Sequence, residues 1–107
     1  MVRQTPMEIL SDLLTSQHFA VIATESKKQP YTNLVSFVCS PDYRHIFFPT
    51  KRQTQKYLNI SKNRNIAILI DNRQNTPSDI SHAITITAIG RVKVLTQYQN
   101  AIVKSLI

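Results

Sequence analysis

Gly90 is the only glycine in the chain. That fact removes whole classes of fold. Glycine-rich nucleotide loops need several glycines to bring the backbone close to a diphosphate. One glycine cannot supply such a loop, so a doubly wound nucleotide-binding sheet is not expected. Turns must be built from other residues, and Ser40-Pro41-Asp42-Tyr43 is one such signal.

What remains is a series of short apolar runs. Phe19–Thr24 (FAVIAT), Pro30–Cys39 (PYTNLVSFVC) and His45–Pro49 (HIFFP) read as three strands in hairpin succession, with Glu25–Gln29 as a polar turn. In the second, Asn33, Val35 and Phe37 alternate in direction with Leu34, Ser36 and Val38. Asn65–Asp71 (NIAILID) is apolar on both faces and is expected at the centre of a sheet. Ser81–Leu95 reads as one bent strand, with Gly90 marking a bulge or a close backbone approach. Helices are expected over Pro6–Gln17, with an apolar stripe of Met7, Leu10, Leu13 and Leu14, after Thr54 as N-cap, and over Gln97–Ile107. Hairpin-linked strands predict a mainly β, antiparallel sheet curled into a barrel with flanking helices.

A chain of 107 residues is enough for one domain. Lys and Arg number 13 against 6 Asp and Glu, a net charge of +7, which favours anionic partners. The cations are scattered, and aromatic residues make up 7%, so a base-stacking nucleic-acid surface is disfavoured. A single cysteine, Cys39, allows no intrachain disulfide, and a reducing, cytoplasmic setting is the expectation. No apolar stretch suits a signal peptide or a membrane span. His18, His45 and His82 lie far apart, and strand-end histidines are usually half-exposed polar residues, so no metal set is assigned.

The informative stretch is Thr50-Lys51-Arg52-Gln53-Thr54-Gln55-Lys56, which follows a strand and opens a helix. A helix start exposes unpaired N–H groups and a partial positive charge, so it attracts phosphate. Two hydroxyls and three cations gather there. The same residues also suit a solvated basic turn capped by Thr54, and both readings stay open at this point.

Four pieces in order resemble the pyridoxamine 5′-phosphate oxidase-like FMN-binding split barrels. They are FAVIAT at 19–24, QPYTNLVSF at 29–37, IFFPTKRQTQKYLNI at 46–60, and NIAILID followed by ITAIGRVKVL, together covering roughly Leu13 to Leu95. The resemblance implies that Thr50, Thr54, Gln55 and Lys56 surround an FMN phosphate, with Lys51 or Arg52 nearby. It places Asn33, Leu34, Val35 and Ser36 beside the isoalloxazine ring. It also implies a homodimer whose second subunit adds residues, with Thr85–Gly90 as the first guess. Gln55 departs from the pattern, which has an arginine before the lysine. The family pattern continues for a strand and a helix past Leu95, so a C-terminally short, single split-barrel domain is expected. No counterpart of the residues that grip pyridoxal phosphate is evident, so a true vitamin B6 oxidase is not.

Three functions are therefore carried forward. The first is an FMN-dependent oxidoreductase exchanging electrons with a nicotinamide or other small donor or acceptor. The second is a carrier or sensor of flavin, a deazaflavin or haem without turnover. The third, least supported, is a nucleic-acid-binding barrel.

Overall fold

The computed structural model describes residues 4–95 and 100–106, the latter as backbone only. In chain order the elements are α1 (Pro6–Ser16), β1 (Phe19–Ser26), β2 (Gln29–Ser36), β3 (Val38–Cys39), β4 (His45–Lys51), α2 (Gln55–Lys62), β5 (Asn65–Asp71), α3 (Asp79–His82), β6 (Thr85–Val94) and β7 (Asn100–Leu106). The strands form one sheet in the order β2-β1-β5-β6-β7-β4-β3, and every pairing is antiparallel.

That order forces curvature. The two ends of the sheet, β2 and β3, are consecutive in the chain and separated by Phe37 alone. One residue spans under about 4 Å. The first and last strands are therefore drawn towards each other, and the sheet curls as a split barrel with flanking helices, with no ladder between β2 and β3 among the described residues. Phe37 sits at the split, 6% exposed, and its N–H donates to the His18 carbonyl at 3.1 Å.

Alternation along the strands fills the barrel. Ala20, Ile22 and Thr24 of β1, Ile66, Ile68 and Ile70 of β5, and Ile46, Phe48 and Thr50 of β4 are all buried. Their neighbours in sequence face outward. The periodicity correctly separates Val35 and Phe37, which are buried, from Leu34, Ser36 and Val38, which are exposed. Helix α1 starts at Thr5, whose hydroxyl accepts from the Glu8 N–H, with Pro6 at the first helical position. It plugs the barrel with Leu13 and Leu14, while Met7 of the expected stripe is exposed.

Several expectations change. Asn100–Leu106 is a strand inserted between β4 and β6, not part of a closing helix; Gln97 to Gln99 and Ile107 lie outside the described residues. The run reads as alternating as well as helical, and β4 and β6 leave an open slot whose backbone groups need a ladder partner. The second strand breaks at Phe37 into β2 and β3. The segment 79–82 is a short helix, so β6 starts at Thr85. The β5–β6 register runs unbroken through Gly90, opposite Ile66, so no bulge occurs there. Gly90 instead lies just before β6 changes partner, from β5 through Arg91 to β7 from Val92. The first turn is tighter than expected. Lys27 and Lys28, with φ of 50° and 67°, form a two-residue hairpin loop between Ser26 and Gln29.

Candidate functional site

The site is built where β4 runs into α2. Strand β4 ends at Lys51, and Thr54 caps the helix: its hydroxyl oxygen accepts from the Tyr57 N–H at 3.2 Å. The same hydroxyl donates its one proton to the Lys51 carbonyl at 2.8 Å. The Thr50 hydroxyl lies 3.4 Å away, so Thr50 is the donor of that pair. Thr54 thus ties loop, helix and strand together. Helix N–H groups before Tyr57 have no intrahelical acceptor.

A cavity of about 310 Å³ occupies this mouth, lined by Pro49, Thr50, Lys51, Thr54 and Lys56. Lys56 is half-buried, and desolvation holds its ammonium pKa below the ordinary value of 10.5. A partly dehydrated cation at a helix start interacts more strongly with an anion than a fully solvated one does. Lys51 is exposed. Arg52 is half-buried and places its guanidinium 5.9 Å from the centre of the Tyr57 ring, a stacking contact that fixes it beside the helix.

Gln55 behaves differently from its neighbours. Its side-chain amide donates to the Asn59 carbonyl oxygen at 2.7 Å, and the Asn59 amide donates to the Thr24 hydroxyl at 2.9 Å. Asn59 is 1% exposed. The chain of bonds joins α2 to β1.

A second cavity, of about 260 Å³, adjoins the first along β4. It is lined by Ser36, Phe37, Val38, Phe47, Phe48 and Pro49, and Pro49 belongs to both cavities. Its walls are apolar because Val38 and Phe47 are cross-strand partners on the outer face. The arrangement is a mouth edged by two hydroxyls and two lysines, beside an apolar slot that shares Pro49 with it.

The sequence-derived set divides accordingly. Thr50, Lys51, Thr54 and Lys56 converge on the mouth, and Ser36 reaches the slot. Arg52 and Gln55 flank the mouth without lining it. Asn33 is exposed on β2, Val35 is buried in the core, and Leu34 faces outward opposite Val21. Phe47 and Pro49 were not singled out as lining residues. Their signal was present in the outward alternation of HIFFP running directly into Thr50. Among the described residues no group of three or more His, Cys, Asp or Glu could hold a metal, and no helix is long and apolar enough to cross a membrane.

The outer face of β1 and its neighbours is also apolar. Leu34, Val21, Leu69 and Thr87 stand in one cross-strand row, and Thr32, Ala23, Ala67 and Ile89 in the next, so both rows are uncharged and mostly apolar. Phe19, Leu34 and Ile89 are exposed by 59%, 65% and 78%. Ser36 lies opposite Phe19 and so joins this face to the apolar slot.

Comparison with known proteins agrees with this architecture. No curated protein matches the sequence. A FAD-binding protein from Mesorhizobium loti has a similar structure, with a TM-score of 0.79 at 14% identity over 100% of this chain and 91% of that one. A haem-binding protein from Mycobacterium smegmatis gives 0.82 at 10% identity over 98% of this chain and 52% of that one. An F420 reductase gives 0.72 at 17% identity over 90% of both. At such identities the likeness is one of fold. The sequence itself matches the family described as pyridoxamine 5′-phosphate oxidase over residues 7–104. The chain belongs to the pyridoxamine 5′-phosphate oxidase-like family, built on a split barrel.

Proposed function

We propose that this protein binds FMN and serves as a homodimeric, cytoplasmic flavin-dependent oxidoreductase, distinct from the vitamin B6 oxidases. The observation that carries the reading is the meeting at Pro49 of a cavity edged by two threonine hydroxyls and two lysines with one lined by Val38, Phe47 and Phe48. FMN is a flat, largely apolar ring system joined by a short polyol to a dianionic phosphate. The mouth at Thr50, Lys51, Thr54 and Lys56 suits the phosphate, and the slot at Ser36, Val38 and Phe47 suits the ring edge. When bound, the flavin supplies the electron-transfer chemistry; the chain binds, orients and tunes it.

The second subunit is assigned to the uncharged outer face around Val21, Leu34 and Leu69. Two copies that each carry +7 repel one another at long range, and a contact surface without charge adds no like-charge contact to that repulsion. The flanking rows carry Glu25, Arg91 and Asp71, giving the polar rim of an interface. Because this face continues into the slot through Ser36, a second copy would supply the missing wall over the flavin.

Titration of purified protein with FMN, followed by flavin absorbance and fluorescence, tests the binding. Saturation at micromolar FMN is the expected result, and no uptake rejects the reading. Reduction of the bound flavin by NADH or NADPH, with onward transfer to an acceptor, tests the activity.

A second reading, a carrier or sensor, is favoured by one observation. Among the described residues the two cavities are lined by no His, Cys, Asp or Glu, and the lysines at the mouth are assigned to the phosphate and not to the ring. Loaded flavin that neither nicotinamide reduces would select this reading. A deazaflavin with a phosphate tail fits the same mouth. Haem fits less well, since no histidine lines either cavity to act as axial ligand.

A further inference from the structure

We propose that Asn59 and Thr24 are positioning residues for the phosphate-binding turn, and that Gln55 belongs to their hydrogen-bond chain and not to the anion's coordination. The proposal rests on the FMN reading above.

Helix α2 is fixed to the barrel by two kinds of contact. Ile60 is fully buried and supplies apolar adhesion. Such adhesion is non-directional, so by itself it lets a short helix rotate or slide on the sheet. Asn59, one residue earlier and 1% exposed, supplies direction. Its amide N–H must point at the Thr24 hydroxyl on β1, 2.9 Å away, while its carbonyl oxygen receives the Gln55 amide at 2.7 Å. These bonds depend steeply on angle, and water does not compete for the buried pair.

The rotation of α2 decides where the mouth lies. Gln55 sits between Thr54 and Lys56, the two residues that must face the phosphate together. With its amide drawn towards Asn59, Gln55 fixes the first turn from the side away from the mouth. The Thr50–Thr54 contact closes the arrangement on β4. The first helical turn is thus held between two strands, β1 through Asn59 and β4 through Thr54. An arginine at position 55 would add a cation beside the phosphate, whereas the neutral Gln55 amide donates to the Asn59 side-chain oxygen without adding charge. Here the residue serves geometry, and Lys51 and Lys56 remain as the charges that line the mouth.

The test compares FMN with riboflavin, which has the same ring and no phosphate. Dissociation constants for both are measured by fluorescence quenching on the wild type, on Thr24→Val, and on the double variant Thr24→Val/Asn59→Leu. The double variant replaces both partners of the buried bond by apolar groups of similar size, which preserves folding where a single change leaves a polar group unpaired. FMN affinity should fall about tenfold, the scale of one lost directional bond, while riboflavin affinity stays within about twofold. Equal weakening of both ligands, or unchanged FMN affinity in the folded variants, overturns the positioning role alone. A wild type that binds FMN no better than riboflavin, or binds neither, overturns the phosphate reading itself and this proposal with it.

Discussion

The hydroxyls of Thr50 and Thr54 stand 3.4 Å apart across the seam where β4 becomes α2. Thr54 spends its own proton on the Lys51 carbonyl and receives the Tyr57 N–H. One side chain therefore serves as helix cap, loop staple and wall of the cationic mouth. Thr54→Ala should destabilise the protein by about 1 kcal/mol, the usual cost of a lost cap. Urea unfolding measures that loss, and FMN titration of the same variant should show weaker binding.

Lys56 makes phosphate binding pH-dependent. Burial lowers its pKa from 10.5 in the ligand-free fold, and a bound phosphate restores the charged form. Binding then takes up a proton at any pH between the free and bound values. FMN affinity should be flat between the phosphate's second pKa, about 6, and the lowered Lys56 pKa, and fall as pH rises through the latter. In the free protein the sign is opposite. Between the lowered value and 10.5 the unfolded chain holds more protons, so stability rises with pH across that window. Lys56→Met should abolish both trends. It should also cost FMN at least about tenfold in affinity, the scale of a charge-assisted bond, and cost riboflavin little.

The Lys27–Lys28 turn is a correctable strain. Both residues hold positive φ without being glycine, asparagine or aspartate. A left-handed L-residue costs roughly 1–2 kcal/mol. Replacing the pair by Asn-Gly should raise stability by about 1 kcal/mol or more. The rise would be read as a higher urea midpoint with unchanged slope.

Asp79 organises the loop before α3. Its carboxylate accepts the Gln74 N–H at 2.8 Å and the Thr76 N–H at 3.0 Å, and the Thr76 bond heads the causes that lower its pKa below 3.8. The folded pKa lies below the unfolded one, so this contribution is complete above the unfolded value and is lost as pH falls through the folded value. Asp79→Ala should speed amide exchange at Gln74 and Thr76 at neutral pH. The barrel strands should keep their protection.

The uncharged face makes a separate prediction. Leu34→Asp places a charge at its centre, on an exposed side chain that contributes little to the core. The variant should stay folded and elute as a monomer, against the dimer proposed for the wild type. Light scattering after size exclusion decides the outcome.

Much of the barrel was legible in the sequence because period-2 alternation is a local signal. Val35 and Phe37 turn inward, and Leu34, Ser36 and Val38 outward, as their order alone requires. Thr54 as cap and Asn65–Asp71 as an interior strand were legible for similar reasons. Asn100–Leu106 was not, because its strand state is imposed by β4 and β6, whose open ladders it fills. Local preference cannot report such a partner. The Gln55 side-chain bond was not legible for a related reason: its acceptor, the Asn59 side-chain oxygen, owes its direction to Thr24, 35 positions back in the chain.

The placement of β7 has a consequence for how the protein is made. Strands β2, β1, β5 and β6 ladder directly with one another and can set while later residues are still being synthesised. Strand β4, which bears both cavities, has only the two-residue β3 as an alternative neighbour. Until Asn100–Leu106 arrives to bridge β4 and β6, the ligand-handling half has no ladder to the half already assembled. Formation of the proposed pocket therefore waits on β7, and lesions in that strand should yield protein with an intact first half and an unformed pocket.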